Sequence, residues 1–182
     1  ERPLVARLAR AVGRRALSID YRLAPEHPFP AAIQDSVQAY RWLVDQGVPP
    51  KKIVISGSSA GGSIALATMI VLRDSGDALP AGCVLLSPST DLTYSWNASP
   101  ESAARDPVVT RAYLDRATAL YIGNADRNDP LASPARADLR GLPPLLVHVG
   151  GDEIMLSGST VLADRAAETG VDVTLKIWPG MF

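Results

Sequence analysis

Five residues, Gly57-Ser58-Ser59-Ala60-Gly61, hold a serine between two glycines at the spacing G-x-S-x-G. A serine hydroxyl is a poor nucleophile at neutral pH until a base takes its proton. The setting gives this spacing its chemical meaning. The five residues directly follow "KKIVIS", a β-branched run that reads as a strand, and open a stretch from Ala60 to Arg73 that is apolar nearly all round. Such a stretch reads as a buried helix. A serine on a sharp strand-to-helix turn presents its Oγ beyond the sheet, and both glycine positions are expected to have no room for a side chain. Ser59 is the candidate nucleophile, and the backbone N–H of Ala60 the candidate donor to an oxyanion. Ser56 and Ser58 fail the spacing, and Ser63 lies inside the helix. A glycine-rich turn of this kind can instead cradle phosphate. Neither a GK[ST] lysine nor a full G-x-G-x-x-G accompanies it here.

Five short runs could supply the strands that position such a turn: Ala16–Tyr21, Lys52–Ser56, Cys83–Ser87, Leu145–Val149 and Val173–Trp178. The middle three are nearly continuous apolar runs, as expected of strands buried on both faces. The last alternates Val173, Leu175 and Ile177 with Thr174 and Lys176, which suits a more exposed strand near an edge. Ile33, Val37, Tyr40 and Val44 mark one face of a helix that Gly47 can stop, and Ser159 to Thr169 reads as another, with Gly170 after it. Alternating strands and helices predict a mostly parallel α/β sheet in a single domain over residues 1–182. Residues 89–143 break the alternation with turn residues, prolines and one plausible helix, Val109 to Tyr121. That is too long for an ordinary connection, so the segment is expected to be a cap over the strand ends, with Tyr94, Trp96 or Tyr113 as apolar wall.

Composition narrows the function classes. The 182 residues carry a net charge of −1 with no basic block, which argues against nucleic acid or an anionic membrane as partner. Cys83 is the only cysteine, so there is no disulfide framework and no thiolate metal cluster. The longest apolar stretch, Ile64 to Leu72, is far too short to span a bilayer. No signal peptide is visible, which points to the cytoplasm. Glu1 is not a start methionine, however, and "ERPLVARLARAVG" reads as a helix already under way, so the N-terminus is expected to be a cut end.

"DYRLAPEHPFPAAIQD" (Asp20–Asp35), followed by "GSSAGG" (Gly57–Gly62), resembles the hormone-sensitive-lipase-like family of α/β-hydrolases, the bacterial family IV esterases. "SPSTDLT" (Ser87–Thr93), "DPLASP" (Asp129–Pro134), "LRGLPPLLVHVGGDE" (Leu139–Glu153) and "VDVTLKIWPGMF" (Val171–Phe182) extend the resemblance over essentially the whole chain. Ser58 departs from the Asp or Thr common before the nucleophile. The resemblance implies an α/β-hydrolase fold with flanking helices and a cap. It implies hydrolysis of a small-molecule carboxylic ester with a short or medium acyl group, with no metal or cofactor, and leaves a homodimer open. It maps the acid that orients the base onto Asp152, 93 residues after Ser59, with Glu153 next door as the alternative.

The base is the gap. The family's histidine directly follows the segment matched by "WPGMF", and its His-Gly-Gly-Gly oxyanion motif precedes the region matched by Glu1, so the chain is expected to be truncated at both ends. The strand carrying that oxyanion motif would lie between Ala16–Tyr21 and Lys52–Ser56. Without it, those two are expected to stay incompletely paired or to pair directly. His27 precedes Ser59 in the chain, whereas this fold orders Ser, acid, His, and it reads as a turn residue. His148, between Val147 and Val149, reads as a packed strand residue. The alternatives are a lactonase or acetyl-hydrolase using the same machinery, and a non-catalytic ligand-binding relative that lacks the histidine.

Overall fold

The computed structural model of the chain describes residues 2–95 and 106–182. Four of the expected runs form strands: β1 (Val54–Ser58), β2 (Gly82–Leu86), β3 (Leu145–Gly150) and β4 (Val173–Trp178). They pair in parallel in the order β1-β2-β3-β4. Parallel pairing puts the C-terminal ends of all four strands on one edge of the sheet. The turn carrying Ser59 and the turn carrying Asp152 both leave from that edge. The alternating strand β4 lies at the sheet's edge, as its pattern predicts.

Pairing in register sorts the side chains into two faces. Ile55, Cys83, Leu145 and Val173 share one row, and Gly57, Leu85, Val147 and Leu175 share another on the same face. Helices α3 (Ala60–Asp74) and α5 (Leu156–Glu168) bury this face through Leu66, Met69 and Leu162. Helix α2 (Ala31–Asp45) packs on α3 by the apolar stripe read from the sequence, with Ile33, Val37 and Tyr40 against Ile64 and Ala67. Burial holds the Cys83 thiol at a pKa of about 12, so this sulfur is a core atom and no nucleophile.

The second face departs from expectation. Val54 is 55% exposed, Ser56 is exposed, and Val84, Leu86, Leu146 and His148 are only partly buried. The apolar run of β3 does not by itself bring a second layer of helices onto the sheet. Ala16–Tyr21 is likewise not a strand; residues 16–20 are exposed coil. A strand needs an adjacent edge with free N–H and C=O groups, and Ala16–Tyr21 is not among the four strands of the sheet. Helix α1 (Arg2–Val12) sets Leu4, Leu8 and Val12 on one stripe but buries none of its residues.

Within 89–143, the described residues hold no strand. They form α4 (Arg111–Ile122) and a 3₁₀ turn at Pro134–Arg136. The helix starts where Thr110 Oγ1 accepts the Tyr113 N–H at 3.2 Å. Tyr94 and Leu114 pack with Val149, Ile154 and Met155 at the C-terminal end of β3. Of the expected wall residues, Tyr94 is 3% exposed and bonds through its hydroxyl to Thr118 Oγ1. Tyr113 points to solvent, and Trp96 lies outside the described residues. No helix among the described residues is long and apolar enough to cross a membrane.

Candidate active site

Ser59 lies between the last residue of β1 and the first of α3, with φ 52° and ψ −120°. Positive φ is strained for a residue with a Cβ, at a cost of about 1–3 kcal/mol, and persists only where surrounding bonds over-determine it. Here they do. The Ser59 N–H donates to Leu86 O at 2.9 Å, and Ser59 O accepts from the N–H groups of Gly62, Ser63 and Ser89. The turn is therefore tied both to its own helix and to the end of β2. Ser59 and Ala60 are both exposed. Ala60 starts α3, where N–H groups have no intrahelical acceptor and the helix dipole favours negative charge.

The glycines divide differently from the motif. A Cβ on Gly57 would lie 2.0 Å from Gly61 O and 2.2 Å from Gly61 C, so Gly57 must lack a side chain for β1 to run so close under α3. A Cβ on Gly61 would meet nothing within 4 Å. The second obligatory glycine is Gly62, where a Cβ would come within 2.7 Å of Pro88 Cβ. The expectation that Gly61 must lack a side chain is thus corrected: its carbonyl is the obstacle to Gly57, while its own Cα faces open space. Gly57→Ala is expected to cost about 1–3 kcal/mol or more through overpacking. Gly61→Ala is expected to be neutral or to gain up to roughly 1 kcal/mol from helix propensity. Urea unfolding of the two variants checks the contrast.

The turn carrying Asp152 and Glu153 follows β3. Glu153 Oε1 accepts the Ser87 hydroxyl at 2.8 Å and the Gly150 N–H at 2.8 Å. Ser87 directly follows Leu86, the residue that holds the Ser59 N–H. The end of β2 therefore bridges the Ser59 turn and the Asp152–Glu153 turn. Strands β1 and β3 are two positions apart, so their ends are separated by roughly 10 Å. An imidazole with a hydrogen bond at each end spans roughly 8 Å. By bonding Ser87, the Glu153 carboxylate is tied to the end of β2, the strand that lies between β1 and β3. Asp152 is half-buried in the same turn and donates its N–H to Met181 O at 3.0 Å. The segment after β4 thus folds back over this turn, and the Gly151 N–H reinforces it by donating to Trp178 O. Gly150 permits the approach, since a Cβ there would lie 2.2 Å from Met181 O.

Neither histidine joins Ser59. His27 is exposed in the turn before α2 and donates its N–H to Leu23 O. His148 sits mid-strand on the open face of the sheet, where its Nδ1 accepts the Trp178 Nε1–H at 3.2 Å. That bond ties the ring to Trp178 at the end of β4. The arrangement sets an exposed serine on a strained turn, the first N–H of a helix beside it, and a carboxylate held at the end of the neighbouring strand. Sequence reasoning missed Ser87, because no pattern marks a serine 66 residues before its partner.

Comparison with known proteins gives one family. The alpha/beta hydrolase fold family matches residues 1–182. An acetyl-hydrolase of Streptomyces hygroscopicus is 42% identical over 181 residues, which are 100% of this chain and 60% of the relative. A crystal structure of a mutant of the esterase E40 superposes with a TM-score of 0.97 at 45% identity, over 100% of this chain and 61% of that one. An esterase from the bacterial hormone-sensitive lipase family gives 0.93 at 46% identity, over 96% of this chain and 59% of that one. The chain therefore spans about 60% of the length of the proteins it matches.

Proposed function

Because the chain belongs to the alpha/beta hydrolase fold family, in its bacterial hormone-sensitive-lipase branch, we propose that the protein hydrolyses small carboxylic esters with Ser59 as nucleophile. Ser59 Oγ attacks the ester carbonyl and gives its proton to a base. The Ala60 N–H donates to the oxyanion as it forms. The alcohol leaves with the base's proton, and water then releases the acid from the acyl-serine by the same steps in reverse order. The observation that carries this reading is the Ser59 turn itself, strained at φ 52° and pinned to the end of β2.

The orienting carboxylate comes from the Asp152–Glu153 pair. Sequence resemblance favours Asp152. The bonds from Ser87 and Gly150 favour Glu153, because they fix Oε1 and leave Oε2 to face a base. The base is a histidine from outside these 182 residues, entering beside the acid turn where Met181 and Phe182 lie. Residues 89–143 serve as cap, and their contacts around Tyr94 and Leu114 support that role. Acyl groups are short to medium, in keeping with the similarity to an acetyl-hydrolase and to esterases. The bond of the His148 ring to Trp178, and the exposed place of His27 in the turn before α2, favour one second reading, a ligand-binding member of the fold without a base.

Protein expressed from the whole reading frame should hydrolyse p-nitrophenyl acetate and take up a fluorophosphonate on the peptide containing Ser59. The 182-residue chain should do both at least about 10²-fold more slowly, for want of a base and a second oxyanion donor. An inactive and unlabelled whole protein would select the ligand-binding reading.

A further inference from the structure

Asp106 is buried in the stretch that leads into α4. Its Oδ1 accepts the N–H groups of Val108 and Val109 at 2.9 and 2.8 Å. Its Oδ2 accepts the N–H of Ile154, 48 residues further on, at 3.0 Å. Burial works to raise the pKa of this carboxyl, but the three backbone donors outweigh it and hold the group below the ordinary carboxylate range. A buried carboxylate is costly unless each oxygen is satisfied. Among side chains of this size, only a carboxylate accepts at both ends. An asparagine would turn an N–H donor towards either Ile154 or the Val108–Val109 pair.

Ile154 is 1% exposed and directly follows Glu153. The turn is thus held from both sides. Ser87 fixes the Glu153 side chain, and Asp106 fixes the backbone one residue later. Around this bond, Tyr94 and Leu114 from one segment pack on Val149, Ile154 and Met155 from the other. We infer that Asp106 is a positioning residue. It latches the segment leading into α4 to the Asp152–Glu153 turn and thereby sets where the orienting carboxylate meets the base. The inference rests on the esterase reading of Ser59 and of this turn.

Four proteins from the whole reading frame test it: wild type, Asp106→Asn, Asp106→Ala and Ser59→Ala. Asp106→Asn is expected to lower kcat for p-nitrophenyl acetate about 10–100-fold with KM within about twofold, as for a misplaced catalytic group. The acid limb of kcat/KM should move to lower pH, because an imidazolium that loses its carboxylate partner gives up its proton more readily. Asp106→Ala should show the same shift with a larger loss. Amide exchange should quicken in a peptide covering 150–156 and stay unchanged in α3. An unmoved limb, or exchange that quickens equally everywhere, overturns the latch and leaves Asp106 as a general stabiliser. Wild type no faster than Ser59→Ala would sink the esterase reading instead. The exchange comparison then decides alone: local quickening keeps the latch, and its absence overturns it.

Discussion

Ser59→Ala, made in protein from the whole reading frame, is expected to lower kcat for p-nitrophenyl acetate by on the order of 10⁴–10⁶-fold, as removal of a nucleophile does in serine hydrolases. Ser58→Ala, one residue away, should stay within about tenfold, because its hydroxyl lies off the elbow and makes no acyl bond. The two variants differ by one position, so general damage to the turn would lower both. Ser59→Gly adds a second, opposite readout. At φ 52° the Cβ is strained, and glycine relieves that strain. The variant should be as inactive as Ser59→Ala yet more stable by about 1–2 kcal/mol in urea unfolding. Activity and stability moving in opposite directions would mark a turn kept strained for chemistry. A loss below about 10²-fold for Ser59→Ala would place the nucleophile elsewhere.

How far the sequence discloses this site follows the range of the interactions involved. The turn that carries Ser59 was legible because strand, turn and helix are consecutive, and each carries its own local pattern. β2, β3 and β4 were legible for the same reason, to within two residues at either end. Ala16–Tyr21 has the composition of a strand and forms none, because pairing depends on a neighbouring edge that composition does not encode. The motif's glycines show the same limit. G-x-S-x-G marks Gly61, but the close contact with Pro88 falls on Gly62, and only the crossing of α3 over the end of β2 decides that. Ser87–Glu153 and Asp106–Ile154 join residues 66 and 48 apart. No periodicity points to such pairs.

For the proposed esterase, the identity of the acid is the sharpest case. Asp152 and Glu153 are adjacent, and spacing from Ser59 separates them by a single residue. The bonds that hold this turn act on different parts of the two residues. Glu153 turns towards the end of β2, where Ser87 and Gly150 hold its Oε1, whereas the Asp152 backbone is held by Met181 on the side of β4. Glu153→Gln keeps the side chain's size and can keep the acceptor facing Ser87 and Gly150, but replaces Oε2 by a donor. A base that needs an acceptor at its second nitrogen is then held in the wrong tautomer. By analogy with the Asp-to-Asn change in a Ser-His-Asp triad, kcat should fall by about 10³–10⁴-fold. Asp152→Asn should cost less than about tenfold, since it leaves the Glu153 carboxylate in place. Thermal unfolding of both variants checks that the turn has survived, and the wild-type rate under the same conditions sets the scale. The reverse order, with Asp152→Asn the crippling change, would assign the acid to Asp152 and leave Glu153 as the brace that joins the ends of β2 and β3. Small effects in both would remove this turn from the catalytic machinery altogether.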